Sequence, residues 1–264
     1  MTFTTYRYPT EYPILAVTVL ALLVIFGLTA GATLCLAPIL VIIFLFVAYQ
    51  SSRAHHASLL QQAVAVDAQT APGMARLTRS CLERLKLPPD EVQFFVVPSR
   101  QRNAYTFGLE RPKVVVIYSS LLEVMDEAEL RFIVGHELGH VALGHTWLNS
   151  LLGGMAGIPT TIEGAVLLTL AFRWWNRACE FSSDRAGLLA CGSLQKATSA
   201  LIKLVATNTR SQAELQRALD LIEQEDDSPL NVFAETLSTH PMIVRRIEEL
   251  KRYAASSEYR RRVG

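Results

Sequence analysis

Residues 126–143 read Asp-Glu-Ala-Glu-Leu-Arg-Phe-Ile-Val-Gly-His-Glu-Leu-Gly-His-Val-Ala-Leu. Asp126 is a good N-cap, and Glu127 and Glu129 favour the positive end of a helix dipole. Leu130, Phe132, Ile133, Val134, Leu138, Val141, Ala142 and Leu143 then give the pattern of a buried helix. Within it lies His136-Glu137-Leu138-Gly139-His140. Two histidines four apart share one helix face, so both imidazoles can reach one Zn²⁺ at ~2.0–2.1 Å. Glu137 directly follows the first histidine, where its carboxylate can take a proton from a water activated by the metal. The alternative is a pair of satisfied core histidines with a stray acid, but burying three such groups without a task is costly.

A catalytic zinc takes three protein ligands and keeps one position open. The pattern with glycine three and histidine six residues after His140 fails, since Leu143 and Thr146 stand there. His145 is about 140° around the helix from His140 and is read as pointing elsewhere, at the negative end of the dipole. The better third ligand is Glu180, in Glu180-Phe181-Ser182-Ser183-Asp184. Glu180 and Asp184 again share a helix face. One carboxylate can hold the metal while the other accepts the free ring N–H of a liganding histidine. Read alone, the two acids would be an ordinary solvated pair.

This order of motifs resembles the membrane zinc endopeptidase family that includes HtpX and the CAAX prenyl proteases, over roughly residues 70–250. The likeness rests on the His-Glu-x-x-His and Glu-x-x-x-Asp motifs. It is supported by Asn103-Ala104-Tyr105, by Leu121-Leu122 ahead of Glu129-Leu130, by Arg177 and by His240-Pro241 with Arg245-Arg246-Ile247. The resemblance implies that His136, His140 and Glu180 hold one Zn²⁺, that Glu137 is the general base and that Asp184 orients His136. It also implies that Arg177 lies beside the site and that His240 donates to the oxyanion of the tetrahedral intermediate. His240 equally suits a helix start, with Pro241 at the first helical position and Ile243, Ile247 and Leu250 on the following apolar face. Either Arg245 or Arg246 can pair with a site carboxylate.

Half of the residues are hydrophobic and the net charge is +1, which gives no basic excess for nucleic acid. Residues 14–49 carry no charge. These 36 residues would make a helix of ~54 Å, against a hydrocarbon core of ~30 Å. A transmembrane helical hairpin turning near residues 27–31 is expected, with one long helix kinked at Pro38 as the alternative. The apolar stretch is too long for the core of a signal peptide. Positive charge at Arg7 and Arg53 places both flanks, and hence the catalytic domain, on the cytoplasmic side, at the inner membrane if the cell is bacterial.

Residues 57–86 read as helical, broken at Ala71-Pro72-Gly73. Short strands are expected at Val92–Val97, Ala104–Phe107 and 114–118. Ala104–Phe107 is expected at the sheet edge, where Ala104, Tyr105 and Thr106 can pair with a substrate main chain. The apolar segment 147–172 lies between the two halves of the metal site and is too short for two crossings. It therefore dips into one leaflet, lies at the interface or packs within the protein. Residues 194–222 read as helical. Cys35, Cys81, Cys179 and Cys191 form no C-x-x-C pair and fit a reducing compartment. Cys179 lies about 100° around a helix from Glu180 and is discounted as a ligand.

The expected fold is mainly α with a small β-sheet, an α+β zincin-type metalloprotease behind a membrane hairpin. Residues 1–52 form the anchor and 53–264 the catalytic domain. The expected function is zinc-dependent endopeptidase action on protein or peptide substrates, membrane proteins among them, in quality control or processing at the lipid bilayer. The alternatives are a membrane-bound zinc-containing scaffold without proteolysis, and a prenyl-protein protease, for which the chain has too few spanning segments.

Overall fold

A computed structural model of the chain describes residues 6–33, 36–146, 163–205 and 241–263. Helices α1 (Glu11–Ala32) and α2 (Leu36–Leu60) come first and pack on each other as a hairpin. The turn falls between residues 33 and 36, not at 27–31 as the sequence suggested. Gly27 and Gly31 sit inside an unbroken helix with open space where a side chain would be. The hydroxyls of Thr29 and Thr33 donate to carbonyls one turn back, so neither interrupts the ladder. Pro38 lies in the first turn of α2, where a missing N–H costs nothing, and so begins a helix instead of kinking one. Helix α2 runs through residue 52, so the expected boundary between anchor and domain lies within a helix.

The rest is mainly helical around one small sheet, as expected. Strand β1 (Val64–Ala65) is followed by α3 (Pro72–Leu85), β2 (Val92–Val97), β3 (Ala104–Phe107) and β4 (Lys113–Tyr118). The strand order is β1-β2-β4-β3, with β2 and β4 parallel and the outer pairs antiparallel. Strand β1 falls in a segment whose sequence pattern predicts helix. Two residues carry no detectable period, and the strand is held by pairing with Val96 and Phe95. Strand β3 stands at the sheet edge, as expected.

Helix α4 (Ser119–Val124) leads into α5 (Glu127–Ala142), which carries the histidine motif. Asp126 and Glu129 form a reciprocal capping box at its start. Glu129 is buried and is held by the Ser199 hydroxyl and by Lys203 at 2.7 Å, both on α7 (Leu194–Val205). Along α5 the side chains of Phe132, Ile133, Val134 and Leu138 are buried, so the motif sits on a core helix.

Helix α6 (Glu163–Cys191) packs against α5 at unusually close range. A Cβ on Gly135 would lie 2.4 Å from the Ala190 Cβ, and one on Gly139 would lie 2.9 Å from the Ser183 Cα. Gly187 faces the Phe132 ring in the same way, at 2.8 Å. The missing side chains allow the backbones to approach, and this brings residues 180 and 184 of α6 within reach of residues 136 and 140. A methyl group in that seam would cost about 1–3 kcal/mol through forced displacement. Helices α8 (Pro241–Ala254) and α9 (Ser257–Val263) close the fold, with Ile243, Ile247 and Leu250 of α8 buried. His240, residues 206–222 of the expected helix and residues 147–162 of the apolar segment lie outside the described residues.

Candidate metal centre

His136 and His140 on α5 and Glu180 on α6 bring ligand atoms within 4.8 Å of one another. The two Nε2 atoms are 3.2 Å apart. The carboxylate oxygens of Glu180 lie 3.5 Å from His136 Nε2 and 3.5 Å from His140 Nε2. Donors ~2.0–2.1 Å from a tetrahedral zinc lie ~3.3 Å from one another, so this triangle fits one such ion. The ring nitrogens and carboxylate face one another around a shared point, which only a cation or a shared proton can reconcile. Both histidines and Glu137 are buried. The Glu180 side chain keeps 23% of its exposure, so the site opens to solvent on that side.

Behind His136, its Nδ1 lies 3.0 Å from the Asp184 carboxylate. A carboxylate only accepts, so His136 Nδ1 carries a proton and Nε2 is the atom left to face the centre, where a metal would displace any proton it holds. Arg246, on α8, grips Asp184 with two nitrogens at 2.6 and 2.8 Å and reaches Glu180 at 3.0 Å. Sequence left Arg245 and Arg246 as equal candidates. Arg246 follows Ile243 by three residues and precedes Leu250 by four, so it lies on the buried stripe, while Arg245 is exposed.

Behind His140 stands His145, which helical spacing places elsewhere. His145 Nδ1 is 3.0 Å from His140 Nδ1, and His145 Nε2 is 3.0 Å from Glu11 at the start of α1. The helical spacing of about 140° does not apply to His145, because α5 ends at Ala142. Gly144 takes φ +76° and turns the chain back. The amides of Gly144 and His145 then bond the carbonyls of Val141 and His140 at 3.1 and 2.9 Å, a Schellman closure. A glycine two residues past the last helical position was the available signal. Glu11 is fully buried, is paired with Arg7 and accepts from the Ser182 hydroxyl. Arg7 also donates to the Leu143 carbonyl at 2.8 Å.

The general-base candidate, Glu137, accepts a 2.7 Å hydrogen bond from the Thr106 hydroxyl at its Oε2. Thr106 belongs to β3, so the edge strand is tied to the acid. Tyr105 and Phe107 of the same strand pack against His56 of α2, whose ring stacks on Phe107 at 3.8 Å. Ala104 pairs with Ile117 and is partly buried. Arg177 lies one turn before Glu180 and is half-buried; among the described residues it makes no ion pair with Glu180 or Asp184. Cys179 lies near Glu11 and His145, not among the three converging donors.

The charges follow from these contacts. Burial alone would lower the His136 pKa, but hydrogen bonds to Asp184 and Glu180 outweigh it and lift the value to about 9. Burial opposes the charge on Glu180, but Arg246 and the two histidines hold its carboxyl well below the usual range. His145 goes the other way. Burial, followed by its cationic surroundings, drives it well below the ordinary histidine value, so it stays neutral.

The model of peptidase family M48 matches residues 68–254. The chain is 30% identical over 188 residues to the chloroplastic plastoglobule-localized metallopeptidase 48 of Arabidopsis thaliana, covering 63% of this chain and 53% of that protein. It is 26% identical over 167 residues to a protease HtpX homolog of Nostoc punctiforme, covering 63% and 56%. A CAAX prenyl protease 1 homolog of Dictyostelium discoideum is 34% identical over 91 residues, or 33% of this chain and 20% of that one. The chain thus spans about half the length of the first two relatives. The family match takes in both motif helices, the edge strand and Arg246 together, and the chain belongs to peptidase family M48.

Proposed function

We propose that the chain is a membrane-anchored zinc endopeptidase, with His136, His140 and Glu180 as metal ligands and Glu137 as general base. The observation that carries this reading is the convergence of the three donors, with the buried Glu137 next to His136 in the chain and its carboxylate fixed by the Thr106 hydroxyl. Zinc, when bound there, would act as a Lewis acid on the scissile carbonyl and lower the pKa of water toward ~7. Thr106 occupies Oε2 of Glu137, and Oε1, which has no hydrogen bond among the described residues, takes the proton and later passes it to the leaving amine. Asp184 keeps the His136 proton on Nδ1. Ala104, Tyr105 and Thr106 lie on an edge strand, where a substrate main chain can add by pairing. His240 serves as an oxyanion donor and Arg177 as a neighbouring support, both on the family resemblance.

The membrane part of the reading rests on α1. Its segment Glu11–Gly31 has mean hydropathy 2.6, and among the described residues it is the one helix long and apolar enough to cross a membrane. Leu20, Leu23 and Leu28 are each at least 63% exposed, which a core helix would not tolerate. The start of α1 is bonded to the domain through the Tyr8 amide and Ser182, and the end of α2 returns to it at Phe107. Both ends of the hairpin therefore meet one domain, which favours an even number of crossings. The placement of Arg7 and Arg53 favours the cytoplasmic face. Substrates presented at that depth are membrane proteins awaiting processing or removal.

The test is Glu137→Gln in the full chain, assayed on an unfolded membrane-protein reporter. Cleavage is expected to fall by about 10²–10⁴-fold with zinc content unchanged. Cleavage at the wild-type rate would overturn the assignment.

A further inference from the structure

A second buried cluster is formed by Glu11, His145 and Cys179, whose ligand atoms also lie within 4.8 Å of one another. Read as a second metal site, it conflicts with the first. A metal on His145 Nε2 would move that ring's proton to Nδ1, 3.0 Å from His140 Nδ1. His140 would then have to accept there and carry its own proton on Nε2, the atom that faces Glu180. Burial also keeps Cys179 a neutral thiol, and Arg7 already offsets the charge of Glu11.

Followed in the other direction, the same atoms are consistent throughout. Glu11 is an acceptor, so His145 Nε2 donates to it. A neutral ring has one N–H, so His145 Nδ1 has a lone pair and accepts from His140 Nδ1. His140 Nε2 is then left bare and aimed at Glu180 and His136. We propose that Glu11 and His145 are positioning residues for the metal: a two-step relay fixes the tautomer of His140, and the metal's hold depends on the seating of the first turn of α1. This rests on the metal-centre reading above.

The relay also has a mechanical side. Glu11 is held by Arg7 and Ser182, and Arg7 reaches the carbonyl of Leu143 at the end of α5. The first turn of the apolar helix is therefore clamped between the two motif helices. Displacing α1 would remove the acceptor on which the chain of protons ends.

The test measures Zn²⁺ affinity by chelator competition, and thermal midpoints with and without Zn²⁺, on the full chain in detergent micelles. Glu11→Ala and His145→Phe are expected to weaken Zn²⁺ binding about 10–100-fold, the range for loss of a group supporting a ligand. They should also shrink the rise in midpoint that Zn²⁺ gives and alter the visible spectrum of the Co²⁺-loaded protein. Glu11→Gln should stay within about threefold of wild type, because its amide oxygen accepts the same His145 proton. If Glu11→Ala does not fold, His145→Phe decides, since it leaves the bonds from Arg7 and Ser182 to Glu11 in place. Variants that lower the midpoint of the metal-free protein yet keep wild-type affinity and the full Zn²⁺ increment would overturn the relay. A wild-type chain that binds no Zn²⁺ would instead overturn the metal-centre reading itself.

Discussion

His136 and His140 sit one turn apart and end at the same point, but different parts of the chain hold them there. His136 rests directly on Asp184, which is gripped by Arg246. Its support is made of α5, α6 and α8, with no part of the apolar hairpin. His140 rests on His145, which rests on Glu11 at the foot of the apolar hairpin. One support is a single step to a carboxylate; the other passes through a neutral histidine before it reaches a carboxylate on the first turn of the apolar hairpin. The difference teaches that the site is supported on one side by helices packed around the sheet and on the other by the first turn of the apolar hairpin. Loss of the direct support should therefore damage the site even where the apolar hairpin is seated.

The largest expected difference comes from cutting the direct support. Asp184→Asn removes the charge that fixes His136 and leaves Arg246 short of a partner. Zinc affinity should drop about 10–100-fold, toward the upper end because a buried cation loses its match. Chelator competition on Asp184→Asn and His145→Phe side by side measures this. Equal losses would erase the contrast between direct and relayed support.

The two supports also differ in charge, and pH exposes this. Metal-free His136 holds its proton to about 9, above the usual imidazole value, and the metal must displace that proton. Apparent zinc affinity should therefore rise about tenfold per pH unit from 7 to 9 and then flatten. Because the folded value is raised, His136 stabilises the metal-free fold fully below ~6.5 and loses that contribution as pH climbs through about 9. A zinc affinity that levels off near pH 6.5 would remove the distinction. His145, held neutral, should add no step in that window.

The smallest effect belongs to the edge strand. Thr106→Val keeps the shape and deletes the hydroxyl that orients Glu137. The loss of one such bond, about 1–1.5 kcal/mol, predicts a roughly tenfold or smaller fall in kcat with zinc affinity unchanged. A fall in zinc affinity would mean that β3 supports the ligands as well as the base.

What the sequence made legible follows the same division. The spacing of four in 136/140 and 180/184 is a helical period, and local periodicity is the strongest signal a chain carries. The seam glycines Gly135, Gly139 and Gly187 gave no such signal, because close approach is a property of two helices together. Arg246 was half legible, since its phase against Ile243 and Leu250 selects it over Arg245. His145 was misplaced because the helix was extended past Gly144, where the left-handed turn ends it. Glu11 lies 134 residues from His145, a separation no local pattern spans. The hairpin was legible from its missing charges, but its turn was not, since glycine does not break an apolar helix whose carbonyls are all paired.

The central claim is that three side chains share one metal, and metal content of the purified full chain tests it most directly. Wild type and Glu137→Gln should each hold about one zinc per chain, while Glu180→Gln should lose it under the same dialysis. Zinc retained by Glu180→Gln at wild-type stoichiometry and affinity would contradict the account.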